Sequence, residues 1–121
     1  MLTPLELDIM KAVWRSHPIT VRDVQDSIRP SRNLAYTTVM TIMDRLYHKG
    51  SLGRTLHLRT HHYEPTIDFA DVRDEAVEML ITNFFGSKEK LQEFLQGEPA
   101  SLPAKIVSEP TSAPNFDETL L

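Results

Sequence analysis

At 121 residues the chain is one ordinary domain, or a small domain with a tail, and 40% hydrophobic with 25% charged residues fits a soluble globular protein. It has no cysteine, which excludes disulfides, thiolate metal sites and a cysteine nucleophile and fits a reducing cytoplasm. No apolar run approaches a membrane span, and the N-terminus starts on a helix signal instead of a secretory leader, so a cytoplasmic protein with no membrane partner is expected. The net charge of −4 is unevenly spread: residues 1–66 carry +3 and all five histidines, residues 67–121 carry −7. That split suggests a polyanion-binding module joined to a part that need not touch the polyanion.

Thr3-Pro4-Leu5-Glu6 is a strong helix start, with Thr3 as cap, Pro4 where a missing N–H costs nothing and Glu6 able to close a capping box. The helix is expected to run to about Ser16 with Leu5, Ile9, Ala12 and Val13 on one stripe, and His17-Pro18 ends it. A second start follows at Thr20 with Asp23 three residues on. Ile19 can staple onto Val24, and Val21, Val24 and Ile28 make a short stripe that Arg29-Pro30 closes. Ser31-Arg32-Asn33 is a polar connector, with Asn33 or Ser31 as the next cap.

The third helix, Asn33 to the C-capping Gly50, places Ala35, Val39, Ile42, Met43 and Leu46 on one stripe. Its other side carries Thr37, Thr41, Asp44 and His48, flanked by Thr38 and Arg45 and by Tyr36 and Met40. Threonine is a mediocre helix former, so three in five positions are a cost to propensity. Hydroxyls and an arginine there suit a surface that touches phosphates and base edges, although an ordinary solvated face has the same look in isolation.

Ser51–Leu58 and Thr60–Thr66 then predict two strands around a turn near Leu58-Arg59-Thr60. Leu52, Leu56 and Leu58 share one parity, so that face is expected to pack on the helices, while Arg54, His57, Arg59 and His61 decorate the hairpin. Three helices followed by a hairpin describe a mostly α fold with a small antiparallel β-hairpin, a winged helix-turn-helix. Asp68 begins a further helix with Phe69, Val72, Ala76, Met79, Leu80 and Phe84 along one side, broken at Gly86. Ser87 caps a last short helix bearing Leu91, Phe94 and Leu95. A winged helix does not need these large side chains for its own core, so they are assigned to homodimerisation in preference to packing back on their own domain. The expected domains are therefore 1–66, 67–97 and a Pro-rich, disordered tail 98–121, whose Phe116–Leu121 end is a weak docking motif at most.

On Leu2–Met10 with Val13-Trp14, Ala35–Thr41, Arg45-Leu46 with Lys49-Gly50, and Tyr63-x-Pro65, the sequence resembles the penicillinase-repressor (BlaI/MecI/CopY) family of bacterial transcription regulators over roughly residues 2–95. The resemblance implies repression by binding a palindromic double-stranded operator as a dimer, the third helix in the major groove and the hairpin as wing along the backbone. It places Thr37, Thr38, Thr41 and Arg45 at the DNA with Arg59 on the wing; Arg32, Asn33, Tyr36 and Arg54 complete the expected interface. Three departures stand out. Leu58 precedes Arg59 where the family has a Gly-Arg pair, Gly97 and a Pro-rich tail replace the family's further helix, and copper sensing through C-terminal cysteines is ruled out. The family's inducing protease cuts an Asn-Phe bond in the short C-terminal helix; here Asn83-Phe84 lies one helix early and Glu93-Phe94 lacks the Asn, so a regulatory protease acting on the C-terminal helices is left without an assigned bond.

No nucleophile–base pair, acid pair or Gly-rich phosphate loop stands out, so no catalytic residue and no cofactor are expected. His57, His61 and His62 with His48 and Glu64 offer imidazole for a metal, but wing histidines beside phosphate or water are the commoner case and no metal site is assigned. The remaining alternative is a winged helix used only for protein–protein contact; the basic N-terminal half and the Thr/Arg helix face speak against it.

Overall fold

The computed structural model describes residues 1–97. In chain order it has α1 (Pro4–Arg15), α2 (Val21–Ile28), α3 (Tyr36–Lys49), β1 (Leu52–His57), β2 (Thr60–Pro65), α4 (Phe69–Leu80), a π-helical turn (Ile81–Phe85) and α5 (Lys88–Leu95). The tail from residue 98, and with it the expectation for Phe116–Leu121, lies outside the described residues.

Local chemistry sets the first two helices. The Thr3 hydroxyl accepts from the Glu6 N–H (3.1 Å) while the Glu6 carboxylate accepts from the Thr3 N–H (2.9 Å), a closed capping box. The Thr20 hydroxyl accepts from the Asp23 N–H at 3.2 Å. Such caps stabilise a helix by about 1 kcal/mol each.

The start of α3 departs from expectation. Ala35, not Asn33 or Ser31, is the cap residue, and it offers no side-chain hydrogen bond. The polar connector is used instead to close the turn. The Ser31 and Arg32 N–H groups both donate to the Ile28 carbonyl, the Gln25 amide donates to the Leu34 carbonyl at 3.0 Å, and Arg32 reaches Asp8 on α1 at 2.6 Å. Gly50, at φ 93°, ends α3 as foreseen, and the Ser51 N–H closes back on the Leu46 carbonyl at 2.9 Å.

One core joins these pieces. Ile9, Met10, Ala12 and Val13 of α1, Val21, Val24 and Ile28 of α2, and Val39, Ile42, Met43 and Leu46 of α3 are buried together with Ile19, Leu52 and Tyr63. The strands pair antiparallel from Leu52↔Pro65 to His57↔Thr60, which leaves a two-residue turn, Leu58-Arg59. Both turn residues have positive φ (51° and 68°), as a type I′ turn requires. A third short strand-like contact, Ile19 against Tyr63, fastens the hairpin to the loop before α2 through N–H···O bonds of 3.0 and 2.8 Å. The expected packing of the Leu52/Leu56/Leu58 face holds only at its base. Leu52 is buried, but Leu56 and Leu58 are 62% and 85% exposed, because the strands outrun the helices and Leu58 belongs to the turn.

The first turn of α4 belongs with the winged helix. The Trp14 indole N–H donates to the Ile67 carbonyl at 2.9 Å, and its ring meets Phe69 edge-on at 5.3 Å. The compact unit accordingly runs from Met1 to Val72, not to 66, and Phe69 and Val72, assigned to dimerisation, fall inside it.

The second unit starts at Arg73. The helix expected to continue to Gly86 changes at Ile81 into a π turn, where the Gly86 N–H donates to the Ile81 carbonyl at 2.7 Å. The wider turn shifts the aromatic register: Phe85, not Phe84, lies against Phe94 (5.4 Å), and Phe84 stands 64% exposed. Ser87 caps α5 as anticipated, accepting from the Lys90 N–H. Among the described residues α4, the π turn and α5 have no buried side chain. No helix among them is long and apolar enough to cross a membrane.

Candidate nucleic-acid interface

With Val39, Ile42, Met43 and Leu46 committed to the core, the opposite face of α3 is fixed by the 3.6-residue period. It presents Thr37, Thr38, Thr41 and Arg45 to solvent, all exposed. The Thr41 hydroxyl donates to the Thr37 carbonyl at 2.9 Å, which leaves its oxygen lone pairs as acceptors for an outside donor. No side chain caps the first amides of α3, so its N-terminus stays open to an anion.

Beside this face a shallow concavity is lined by Thr20 and Arg22 of the α2 start, Tyr36 and Met40 of α3, and Arg59 and His61 of the hairpin. The Arg22 guanidinium lies 5.8 Å from the centre of the Tyr36 ring. Arg22 was not among the expected residues. Its sequence signal is faint, a lone base in a helix otherwise carrying Asp23 and Asp26, and only the tertiary approach of α2 to α3 singles it out.

Two expected contacts serve the fold instead. Arg32 is tied to Asp8. Arg54, 21% exposed, pairs with Asp44 at 2.9 Å and lies over the Tyr47 ring at 3.9 Å, bracing the hairpin against α3. Its hydrogen bond to Asp44, and after that one to Tyr63, push its already high pKa further up, so it stays charged. Asp44 thereby anchors the hairpin, and its negative charge on the α3 surface is offset locally. The His48 ring Nδ1 sits 2.9 Å from the Asp44 carbonyl oxygen. Asn33 is exposed in the turn before α3.

At the other end of the unit, Glu6 accepts from the Thr3 N–H and meets Lys49 at 3.4 Å; these contacts, the Thr3 N–H foremost, hold its pKa below the ordinary glutamate value. Among the described residues no group of three or more His, Asp or Glu side chains is placed to hold a metal ion.

Three helices around one core, the last presenting hydroxyls and an arginine, with a braced antiparallel hairpin beside it, define a winged helix-turn-helix. The family model described as penicillinase repressor matches residues 2–105, and the chain belongs to that family, which is one of repressors and not of enzymes. It is 37% identical over 89 residues to the transcriptional regulator BlaI of Mycobacterium tuberculosis, a match covering 73% of this chain but 62% of that protein's length. The solution structure of the DNA binding domain of the repressor BlaI superposes with a TM-score of 0.53 at 28% identity, covering 59% of this chain and 87% of that one. The Bacillus licheniformis BlaI monomeric form, solved in complex with the blaP half-operator, superposes at 0.51 with the same identity and coverage.

Proposed function

We propose that this chain is a sequence-specific DNA-binding transcriptional repressor that acts in the cytoplasm as a homodimer on a palindromic operator. The observation that carries this reading is the exposed Thr37/Thr38/Thr41/Arg45 face of α3 beside the Arg22/Arg59 concavity. The half-operator complex of the Bacillus licheniformis relative supports it. In this reading α3 enters the major groove. Arg45 is matched to a guanine edge, Thr37 and Thr41 to amino groups and thymine methyls, and Arg22, Tyr36 and Arg59 to phosphates. Arg32 and Arg54 act by positioning, through Asp8 and Asp44.

Dimerisation is supported by the second unit, which exposes Met79, Leu80, Phe84, Phe94 and Leu95 without a core of its own. Val72, Ala76 and Leu91 adjoin them, whereas Phe69 keeps its contact with Trp14. A regulatory protease on the C-terminal helices has one supporting feature, the exposed Asn83-Phe84 bond in the π turn.

A mobility-shift titration against salt tests the DNA reading. With three basic contacts from each protomer, log K is expected to fall with log salt at a slope of about −5. Failure to shift any duplex at low salt overturns the reading. Sedimentation of the full chain against one ended after Val72 tests the dimer: the full chain is expected to sediment as a dimer and the shortened one as a monomer.

A further inference from the structure

We propose that Leu58, at the tip of the wing, is an apolar contact in the DNA minor groove that flanks the half-site. The inference rests on the DNA-binding reading above and goes beyond it, since that reading uses the wing only for its charge.

Leu58 sits at φ 51°, in the left-handed region where a Cβ is a steric cost and where two-residue hairpins favour Asn, Asp or Gly. It is also 85% exposed, more than any other large hydrophobic side chain described. Neither the turn nor the core benefits from a leucine there. Its neighbour Arg59 lines the basic concavity with Arg22 and Tyr36, so whatever meets the tip is anionic at its rim. A minor groove has that character: phosphates along its edges and apolar deoxyribose faces along its walls, into which leucines are inserted elsewhere and arginines are drawn.

The reach fits. The hairpin leaves the core at the buried pair Leu52 and Tyr63, and five further residues of β1 precede the turn. At about 3.3 Å each they span about 17 Å. That equals half of the roughly 34 Å duplex turn, the distance from a major-groove centre to the next minor-groove centre. The tip is also held. Arg54 on Asp44 and Tyr47, and Ile19 on Tyr63, fix the hairpin to the helices that would dock in the major groove.

The test uses the full chain, a tight-binding duplex selected from a random pool, and the variants Leu58→Gly, Leu58→Asn and Leu58→Met. The Gly and Asn variants are expected to melt at or above the wild-type temperature yet bind about 5–10-fold more weakly, with Met within about 2-fold of wild type. Exchanging A·T flanking pairs for G·C should erase the wild-type advantage. Exchanging them for inosine·C, which keeps the G·C major-groove face but lacks the minor-groove amine, should restore it. Gly and Asn variants that bind as tightly as wild type overturn the inference and leave the DNA reading standing. So does indifference to the G·C/inosine·C exchange, or a loss confined to self-association. A wild-type chain that binds no duplex overturns both.

Discussion

Residues 1–72 bury fourteen hydrophobic side chains, whereas the helices that follow bury none and leave Met79, Leu80, Phe84, Phe94 and Leu95 between 41% and 72% exposed. Both regions are built from amphipathic helices with well-made ends: a closed capping box on α1, Ser87 on α5, left-handed glycines at Gly50 and Gly86. What differs is closure. Three helices and the base of a hairpin are enough to enclose a core, while α4 beyond Val72 and α5 are not. A region with that much uncovered apolar surface is built to be completed by another surface. The N-terminal unit therefore owes its stability to itself, and the C-terminal unit owes its own to association.

Substitutions break or sharpen this contrast. Leu46→Ala removes a side chain with no exposure from the centre of the core. It is expected to cost about 2–5 kcal/mol in denaturant unfolding, independently of protein concentration. Leu80→Asp, in the other region, is expected to raise the dimer dissociation constant by about 30-fold or more in sedimentation while leaving the melting of residues 1–72 unchanged. If it unfolded the whole chain instead, the two regions would not be separable.

At the interface the expected effects are smaller. Arg45→Ala should lose about 1–3 kcal/mol on the preferred duplex and relax the choice of base beneath it. Arg59→Ala should weaken all duplexes alike and lower the salt slope by about 1, both read by anisotropy titration. A base-specific loss at Arg59 would exchange their roles.

The smallest effect is a pH dependence at Glu6. Its folded pKa lies below the model value of 4.5, so its contribution is present above the unfolded pKa and is lost as pH falls through the lower folded one. Glu6→Gln should cost less than about 1 kcal/mol at neutral pH, since the site is solvent-screened, and the difference should fade in acid. An equal loss at pH 7 and pH 3 would assign the effect to shape instead of charge.

How far the sequence carries depends on whether a feature is local. The caps at Thr3, Thr20 and Ser87, the stop at Gly50 and the core stripes of α1 to α3 are written within a turn or two of chain and were legible. The α3 start was not, because Arg32 and Leu34 answer to Asp8 and Gln25, partners that only the folded chain brings near. Arg54 shows the same limit within the candidate site: a wing arginine in sequence, it becomes a brace once Asp44 and Tyr47 lie beneath it. Arg22 was missed for the converse reason, being brought to Tyr36 only by the α2–α3 crossing. The π turn moved one aromatic, exchanging Phe85 for Phe84, which a strict 3.6-residue period cannot anticipate. The length at which β1 outruns the core is likewise absent from its alternating pattern, so Leu56 and Leu58 were placed on the wrong side of that edge.

Selection of bound duplexes from a random pool by the full chain tests the division of labour most directly. The expected outcome is a palindrome of two half-sites whose centres lie one duplex turn, about 10–10.5 base pairs, or a multiple of it apart, since a two-fold dimer must place both α3 helices on one side of the DNA. A pool that shows no enrichment, or that converges on a single site without two-fold symmetry, would contradict it.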